Sequence, residues 1–406
     1  MNSQLILSIK EAIHEEYLPH LEEILVSFSE LTYKYKDIPM LSRTHGQAAS
    51  PTLLGKEIAV FSKRLETQKA NLTQALNSNS KDLQQLLYQI PNLPHDSVPI
   101  GNSENENIEV FSSGIIPKLH SAALPHWELA KKYDIIDFEL GNKISGAGFP
   151  VYKGKGARLQ RALINYFLDL NIAAGYNEVQ LPHLVNEASG IGTGQLPDKE
   201  GQMYFINADN LYLIPTGEVP ATNIFREVIL KAEALPKQLT TYTPCFRREA
   251  GSYGADVRGL NRLHQFDKVE ILRVEHPNES YNALHGMVEH IKTILEALQL
   301  PYRILKLCSG DLGFTSALTY DFEVFSTAQG RWLEISSVSN FETYQANRLK
   351  LRFKNADGKS ELAHTIYGSA LALPRVLAGI LENYQNENGI EIPQVLNPYT
   401  GFDRID

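Results

Sequence analysis

The stretch Phe246-Arg247-Arg248-Glu249, then a loop holding Gly251, Gly254 and Gly259, then Arg262-Leu263-His264-Gln265-Phe266-Asp267-Lys268-Val269-Glu270, decides the fold. Its flanks predict strands near 240–248 and 263–272 joined through a glycine-rich loop. Alternate residues of a strand face one side, so such a hairpin can set an arginine against a phosphate and a carboxylate against an amine. The competing reading is an edge hairpin carrying surface ion pairs.

Outward from the hairpin, further strands are expected near 177–183, 202–206, 211–215, 320–325 and 331–337, with a turn at 207–210 and a helix over 157–173. The segment Gly368-Ser369-Ala370-Leu371-Ala372-Leu373-Pro374-Arg375 reads as the start of a final helix. Its small residues would let backbone approach a ligand, and an arginine can cover a purine face. Strands pairing through turns with helices between them predict an α+β domain on a largely antiparallel sheet.

These segments resemble the three motifs of class II aminoacyl-tRNA synthetases. The hairpin is similar to motif 2, residues 368–375 to motif 3 with Ala370 and Ala372 in place of glycines, and the helix leading into Gly175–Pro182 to motif 1, the dimer interface of the class. Thr216-Gly217-Glu218, Glu270 and Glu334-Ile335-Ser336-Ser337-Val338-Ser339-Asn340, with Gln345 and Arg348 beyond, narrow the resemblance to the seryl-tRNA synthetase family, from about Leu87 to the C-terminus. The fold implied is the class II antiparallel sheet flanked by helices, preceded here by an N-terminal α-helical hairpin.

The resemblance implies a set of roles. Arg247 would bind the α-phosphate and the serine carboxylate, Glu249 the adenine amino group, and Phe266 the adenine ring. Arg248, Ile335, Ser336 and Arg375 would belong to the ATP site, and Arg247, Glu334 and Arg375 would carry catalysis. Thr216, Gly217, Glu218, Glu270 and Ser369 would hold serine, and Glu334 and Ser337 the catalytic Mg²⁺. The family usually has alanine at Gly217, and losing a methyl group should leave backbone contacts intact. Rejecting alanine as a substrate requires groups that hydrogen-bond the serine hydroxyl, which Glu270 and Ser369 can supply. Implied partners are L-serine, ATP and tRNA(Ser), with tRNA(Sec) left open, in a homodimer.

The bulk properties fit an ordinary globular chain of two or three domains. Its 406 residues are 43% hydrophobic and 21% charged, and no apolar run reaches the roughly 18 residues that a membrane span needs. Its N-terminal sequence does not follow a secretion pattern, which predicts a cytoplasmic protein. Cys245 and Cys308 lie far apart without a CxxC or Cys/His cluster, which argues against a zinc site or a disulfide framework. At a net charge of −9, tRNA contact would need a local basic patch.

Residues 1–82 read differently. Apolar positions at helical spacing over 3–35 predict one amphipathic helix, and Ser50-Pro51 reads as the cap and first turn of a second that runs toward residue 90. The stretch between them, Ile38 to Thr52 with His45 near its centre, resembles the adenylosuccinate lyase family over about residues 3–70. There His45 would match a general acid, and Thr44 and Gln47 substrate contacts. The serine loop of that family is not found, so His45 is expected to be vestigial. The tRNA-gripping arm of seryl-tRNA synthetases is rich in Lys and Arg, whereas residues 1–80 carry eight Lys or Arg against nine Asp or Glu.

Three divisions follow: a lyase-like hairpin over 1–82, an arm remnant and proline-punctuated linker over 83–124, and a catalytic domain over 125–406. The function expected is serine activation with ATP and transfer to tRNA, with transfer weakened by the altered arm. The alternatives are residual lyase activity on succinyl-purine nucleotides and a non-catalytic, synthetase-like binding protein.

Overall fold

The protein is described by a computed structural model over residues 13–44, 47–76, 87–198, 201–249 and 258–406. The chain forms two compact units, Met1–Ile90 and Pro91–Asp406.

In the first unit, one turn of π-helix (Ile13–Tyr17) leads into α1 (Leu18–Lys34), which buries Leu21 and Leu25 one helical turn apart. Strands β1 (Pro39–Thr44) and β2 (Gln47–Leu53) pair antiparallel, and α2 (Leu54–Leu76) follows. The helix start expected at Ser50-Pro51 is therefore displaced. Both residues lie in β2, where Pro51 pairs with Leu41. The first N–H groups of α2 find acceptors elsewhere: Leu54 donates to the Ile38 carbonyl at 2.8 Å and Gly55 to that of Tyr35 at 3.0 Å. A Cβ on Gly55 would stand 2.6 Å from Lys36 Cα, so this close approach requires glycine. His45 lies outside the described residues, as does the stretch 77–86 over which α2 was expected to continue.

The second unit is built on an eight-stranded sheet. Its strands are β3 (Ile108–Ser113), β4 (Asn177–Glu178), β5 (Lys237–Phe246), β6 (Gln265–Glu275), β7 (Tyr302–Lys306), β8 (Leu318–Ser326), β9 (Arg331–Glu342) and β10 (His364–Ala372). Their spatial order is β3-β7-β8-β9-β10-β6-β5-β4, antiparallel throughout except for β4 beside β5. Helices α3 (Gly154–Ala173), α4 (Ser280–Ala297) and α5 (Leu373–Asn383) supply Leu159, Leu163, Phe167, Leu284, Met287, Ile291, Val376 and Ile380 to the main core. Along β6, Val269 and Ile271 join that core, while Phe266 and Lys268, on the alternate side, line a cleft.

Two expectations are corrected here. Residues 108–113, read as linker, form the edge strand β3, and Asn92 is pinned by its side chain to the carbonyls of Thr315 and Phe341 at 2.9 and 3.0 Å. Gly368–Ala372 ends strand β10, and the helix starts only at Leu373, with Pro374 in its first turn. Sandwiched between β9 and β6, β10 is buried over nearly its whole length, and its small residues let α4 pack close: a Cβ on Gly368 would already touch Met287 Cε at 3.3 Å.

Candidate active site

Strands β6, β9 and β10, the start of α5, and the segments that carry Pro215, Thr216 and Glu218 and, just past β5, Arg247 and Glu249 surround a cleft of about 490 Å³, within the usual range for small-molecule sites. Of the residues proposed from sequence, Thr216, Glu218, Arg247, Glu249, Phe266, Glu334, Ile335, Ser336, Ser337, Ser369 and Arg375 line it. Gly217, Arg248 and Glu270 do not, and Gly251 and Gly254 of the connecting loop lie outside the described residues.

Register explains why distant residues meet. Lys268 pairs with Thr243 and Ala372, and Glu270 with Thr241 and Ser369, so β5, β6 and β10 bring their polar side chains to one level. Glu270 sits beneath the floor, 1% exposed, with every acceptor site engaged. One oxygen accepts from the Thr216 hydroxyl at 2.6 Å, from Lys268 Nζ at 2.7 Å and from the Tyr367 hydroxyl. The other accepts from the Gly217 N–H at 2.7 Å and the Thr243 hydroxyl at 3.0 Å. Lys268 closes the ring by donating to Thr216 Oγ1 at 2.9 Å and the Tyr367 hydroxyl at 2.8 Å. A Cβ on Gly217 would lie 2.1 Å from the Glu270 carboxylate, so the alanine usual in the family could stand here only if that carboxylate shifted.

Charge follows from this packing. Burial raises the pKa of Glu270, but Lys268 and the donated hydrogen bonds outweigh it and hold the carboxyl below its usual range. For Lys268, burial acts downward and the Glu270 charge upward, with a net rise. The pair is therefore ionised. Glu218 differs: it is 6% exposed, one of its oxygens accepts from Gln345 Nε2 at 2.6 Å, and burial pushes it up to about 7 despite Lys268 and Arg247 nearby. Cys245 is pushed up to about 12 by burial and then by Glu270, which makes it an inert core thiol.

At the opposite end, Arg247 places its guanidinium 5.3 Å from the Phe266 ring centre and donates to the Pro215 carbonyl at 3.3 Å. Arg375 donates to the Glu334 carbonyl at 2.6 Å and the Asn261 carbonyl at 3.2 Å, and stands 3.6 Å from the Glu334 carboxylate. Arg262 pairs with Glu249 at 3.1 Å. Ser337 faces Asp321 across β8 and β9; one Asp321 oxygen lacks a partner, and burial followed by the Glu334 charge raises its pKa. Among the described residues no group of three or more His, Cys, Asp or Glu side chains is arranged to hold a metal ion, and no helix is long and apolar enough to cross a membrane.

Among the cleft residues to which the sequence reading gave no role are Lys268, Tyr367, Asn261, Gln195 and Gln202. Alternation held the clue for two of them, since Lys268 lies two residues from both Phe266 and Glu270, and Tyr367 two from Ser369.

Separate parts of the chain match known families. The model of the class II tRNA synthetase core domain (G, H, P, S and T) matches residues 204–384, and a lyase family model matches residues 1–85. The serine–tRNA ligase of Salinibacter ruber is 54% identical over 324 residues, covering 79% of this chain and 76% of the relative. The chain belongs to the serine–tRNA ligase family. The Chlorobaculum parvum member of the family is 48% identical over 377 residues, covering 91% of this chain and 86% of its own. Among solved structures, seryl-tRNA synthetase from Pyrococcus horikoshii, complexed with ATP, matches with a TM-score of 0.80 at 29% identity over 99% of this chain and 92% of that one. The cytoplasmic enzyme of Naegleria fowleri in complex with AMP, at 24% identity and a TM-score of 0.78, shares the fold, covering 99% of this chain and 92% of its own.

Proposed function

We propose that this chain activates L-serine with ATP and transfers the seryl group to tRNA(Ser). The observation that carries this reading is the convergence of Glu218, Arg247, Phe266, Glu334 and Arg375 on one cleft beside a neutralised Lys268–Glu270 pair. Serine enters as a zwitterion. Its ammonium is placed on Glu218, the acid with acceptor capacity to spare, and its carboxylate on Arg247; Ser369 and the Thr216 hydroxyl lie at the level of its side chain. Phe266 and Arg375 offer faces for adenine.

The serine carboxylate attacks the α-phosphorus in line, forming a new P–O bond while the bond to pyrophosphate breaks. Arg247 neutralises charge on the α-phosphate oxygens as it develops, and the cleft holds the reacting atoms together. No protein nucleophile takes part. In the second step a tRNA ribose hydroxyl attacks the seryl carbonyl and AMP departs. Glu334 and Ser337, with the unpartnered Asp321 oxygen behind them, form an all-oxygen set that suits Mg²⁺, an ion that takes few protein ligands and completes its shell with phosphate and water. When bound, Mg²⁺ supplies positive charge to the phosphate oxygens.

The reading carries a homodimer in the cytoplasm with it. It also carries a weakened second step, because the near-neutral residues 1–80 offer little counter-charge to a phosphate backbone. The lyase match over residues 1–85 supports an origin of the N-terminal hairpin in an adenylosuccinate lyase fragment, with His45 left without a role. Charging of tRNA(Ser) with labelled serine tests the whole reaction. Formation of seryl-tRNA at a reduced kcat/KM is expected; no seryl-tRNA at any enzyme concentration would remove the second step, and fumarate release from adenylosuccinate would restore the lyase alternative.

A further inference from the structure

Behind the nucleotide end of the cleft lies a buried hydrogen-bond network to which neither the family assignment nor the proposed chemistry gives a role. His126 and Glu382 are both fully buried, 256 residues apart in sequence. Glu382 accepts from the His126 backbone N–H at 2.9 Å, and the same oxygen lies 2.7 Å from ring Nδ1. On its far side the ring meets the Leu260 backbone N–H, which points at Nε2 from 2.8 Å. A nitrogen facing an N–H must carry the lone pair, so the ring proton sits on Nδ1 against the carboxylate and the tautomer is fixed from both ends.

The neighbouring residues are tied to the same hub. Gln329 donates to Glu382 at 3.0 Å and accepts from the Asn261 amide at 3.1 Å. The Arg258 guanidinium covers the Trp127 ring at 5.2 Å. Gly259, at φ +64°, presses so close to His126 that a Cβ would meet Nε2 at 2.2 Å. The tethered segment then runs straight into the cleft wall, where Leu260, Asn261, Arg262 and Leu263 stand side by side. The Asn261 carbonyl takes the Arg375 Nε–H, and its side-chain oxygen, buried and lining the cleft, has no partner.

We propose that His126 is a positioning residue for the nucleotide: through the Leu260 N–H it holds the Arg258–Leu263 segment, and with it Asn261 and Arg375, where ATP binds. This rests on the reading of the cleft as an ATP site. Among the described residues, no side-chain hydrogen bond or ion pair ties the serine end, built from Thr216, Glu218 and the Lys268–Glu270 ring, to the His126–Glu382 network.

The test is serine-dependent pyrophosphate–ATP exchange by the full chain and its variants. His126→Asn keeps a group for Glu382 but is too short to offer an acceptor to Leu260, whereas His126→Gln reaches the Nε2 position with an amide oxygen. H126N should raise the KM for ATP about tenfold with the KM for serine within about twofold, and H126Q should stay within about threefold of the wild type for both. The proposal is overturned if H126N leaves the ATP KM unchanged, if both KM values rise together, or if H126Q is no better than H126N. Should H126N not fold, Gln329→Leu, which removes the bridge to Asn261 together with the Gln329 contacts to Glu382 and Arg331 but leaves the His126–Leu260 contact in place, must still raise the ATP KM about threefold or more, and an unchanged value overturns the proposal. If the wild type shows no exchange, the functional reading fails by itself, and direct titration with ATP decides the positioning role: about tenfold weaker binding by H126N supports it, equal binding refutes it.

Discussion

Replacing Glu218 with glutamine should make the protein more stable and less able to hold serine. The carboxyl is 6% exposed, and its pKa is pushed from the ordinary 4.5 up to about 7, first by burial and against the pull of Gln345, Lys268 and Arg247, with Glu270 adding to the rise. At about 1.36 kcal/mol per pKa unit, ionising this group inside the fold costs on the order of 3 kcal/mol. The folded pKa lies above the unfolded one, so the protonated form is favoured by folding. Stability is full below about pH 4.5, falls as pH rises, and the loss is complete above about pH 7. Glutamine is neutral throughout and keeps an oxygen for Gln345. Thermal unfolding should therefore show E218Q gaining over the wild type as pH goes from 5 to 8, by roughly 2–3 kcal/mol at the upper end. Binding should move the other way. The anion has to be formed to receive the serine ammonium, so the wild-type KM for serine should climb as pH falls from 8 to 6, and E218Q should raise it by about a hundredfold or more with the ATP KM little changed. A serine KM that is flat over that window, or an E218Q deficit equal at pH 5 and pH 8, would refute the reasoning.

Other substitutions probe the remaining parts of the cleft. Lys268→Met leaves the Glu270 charge buried without its counter-ion and should destabilise the fold by about 3–5 kcal/mol in denaturant titrations; a cost under about 1 kcal/mol would mean the ring holds without it. Gly217→Ala introduces a methyl group where only 2.1 Å is available to Glu270, so the serine KM should rise by roughly tenfold in exchange assays while the ATP KM stays put. Arg247→Lys keeps the charge but loses the planar fork, and single-turnover adenylate formation should slow by about two orders of magnitude; a rate within about threefold of the wild type would place the phosphate elsewhere.

How far the sequence could be read depended on how local each feature is. The hairpin of β5 and β6 was legible because its alternation and its glycine-rich connection lie within 39 residues, and the cleft residues on it follow from period two. The Lys268–Glu270 ring was not, since its closure needs Tyr367 from β10, and the His126–Glu382 contact spans most of the second unit. Segment 108–113 looked like linker because an edge strand with one free side can carry the polar, exposed residues of a loop. Residues 368–372 looked helical because small residues suit a helix start, yet in a strand enclosed on both sides smallness serves the approach of α4. Ser50-Pro51 had every local mark of a helix start, and the pairing of β2 with β1 overrode them.

The central claim is that this one cleft joins serine to AMP, and the most direct measurement is amino-acid-dependent exchange of labelled pyrophosphate into ATP, run with the full chain against a panel of amino acids. Exchange with serine alone, abolished by Arg247→Ala, is the predicted result; exchange with no amino acid, or with one other than serine, contradicts it.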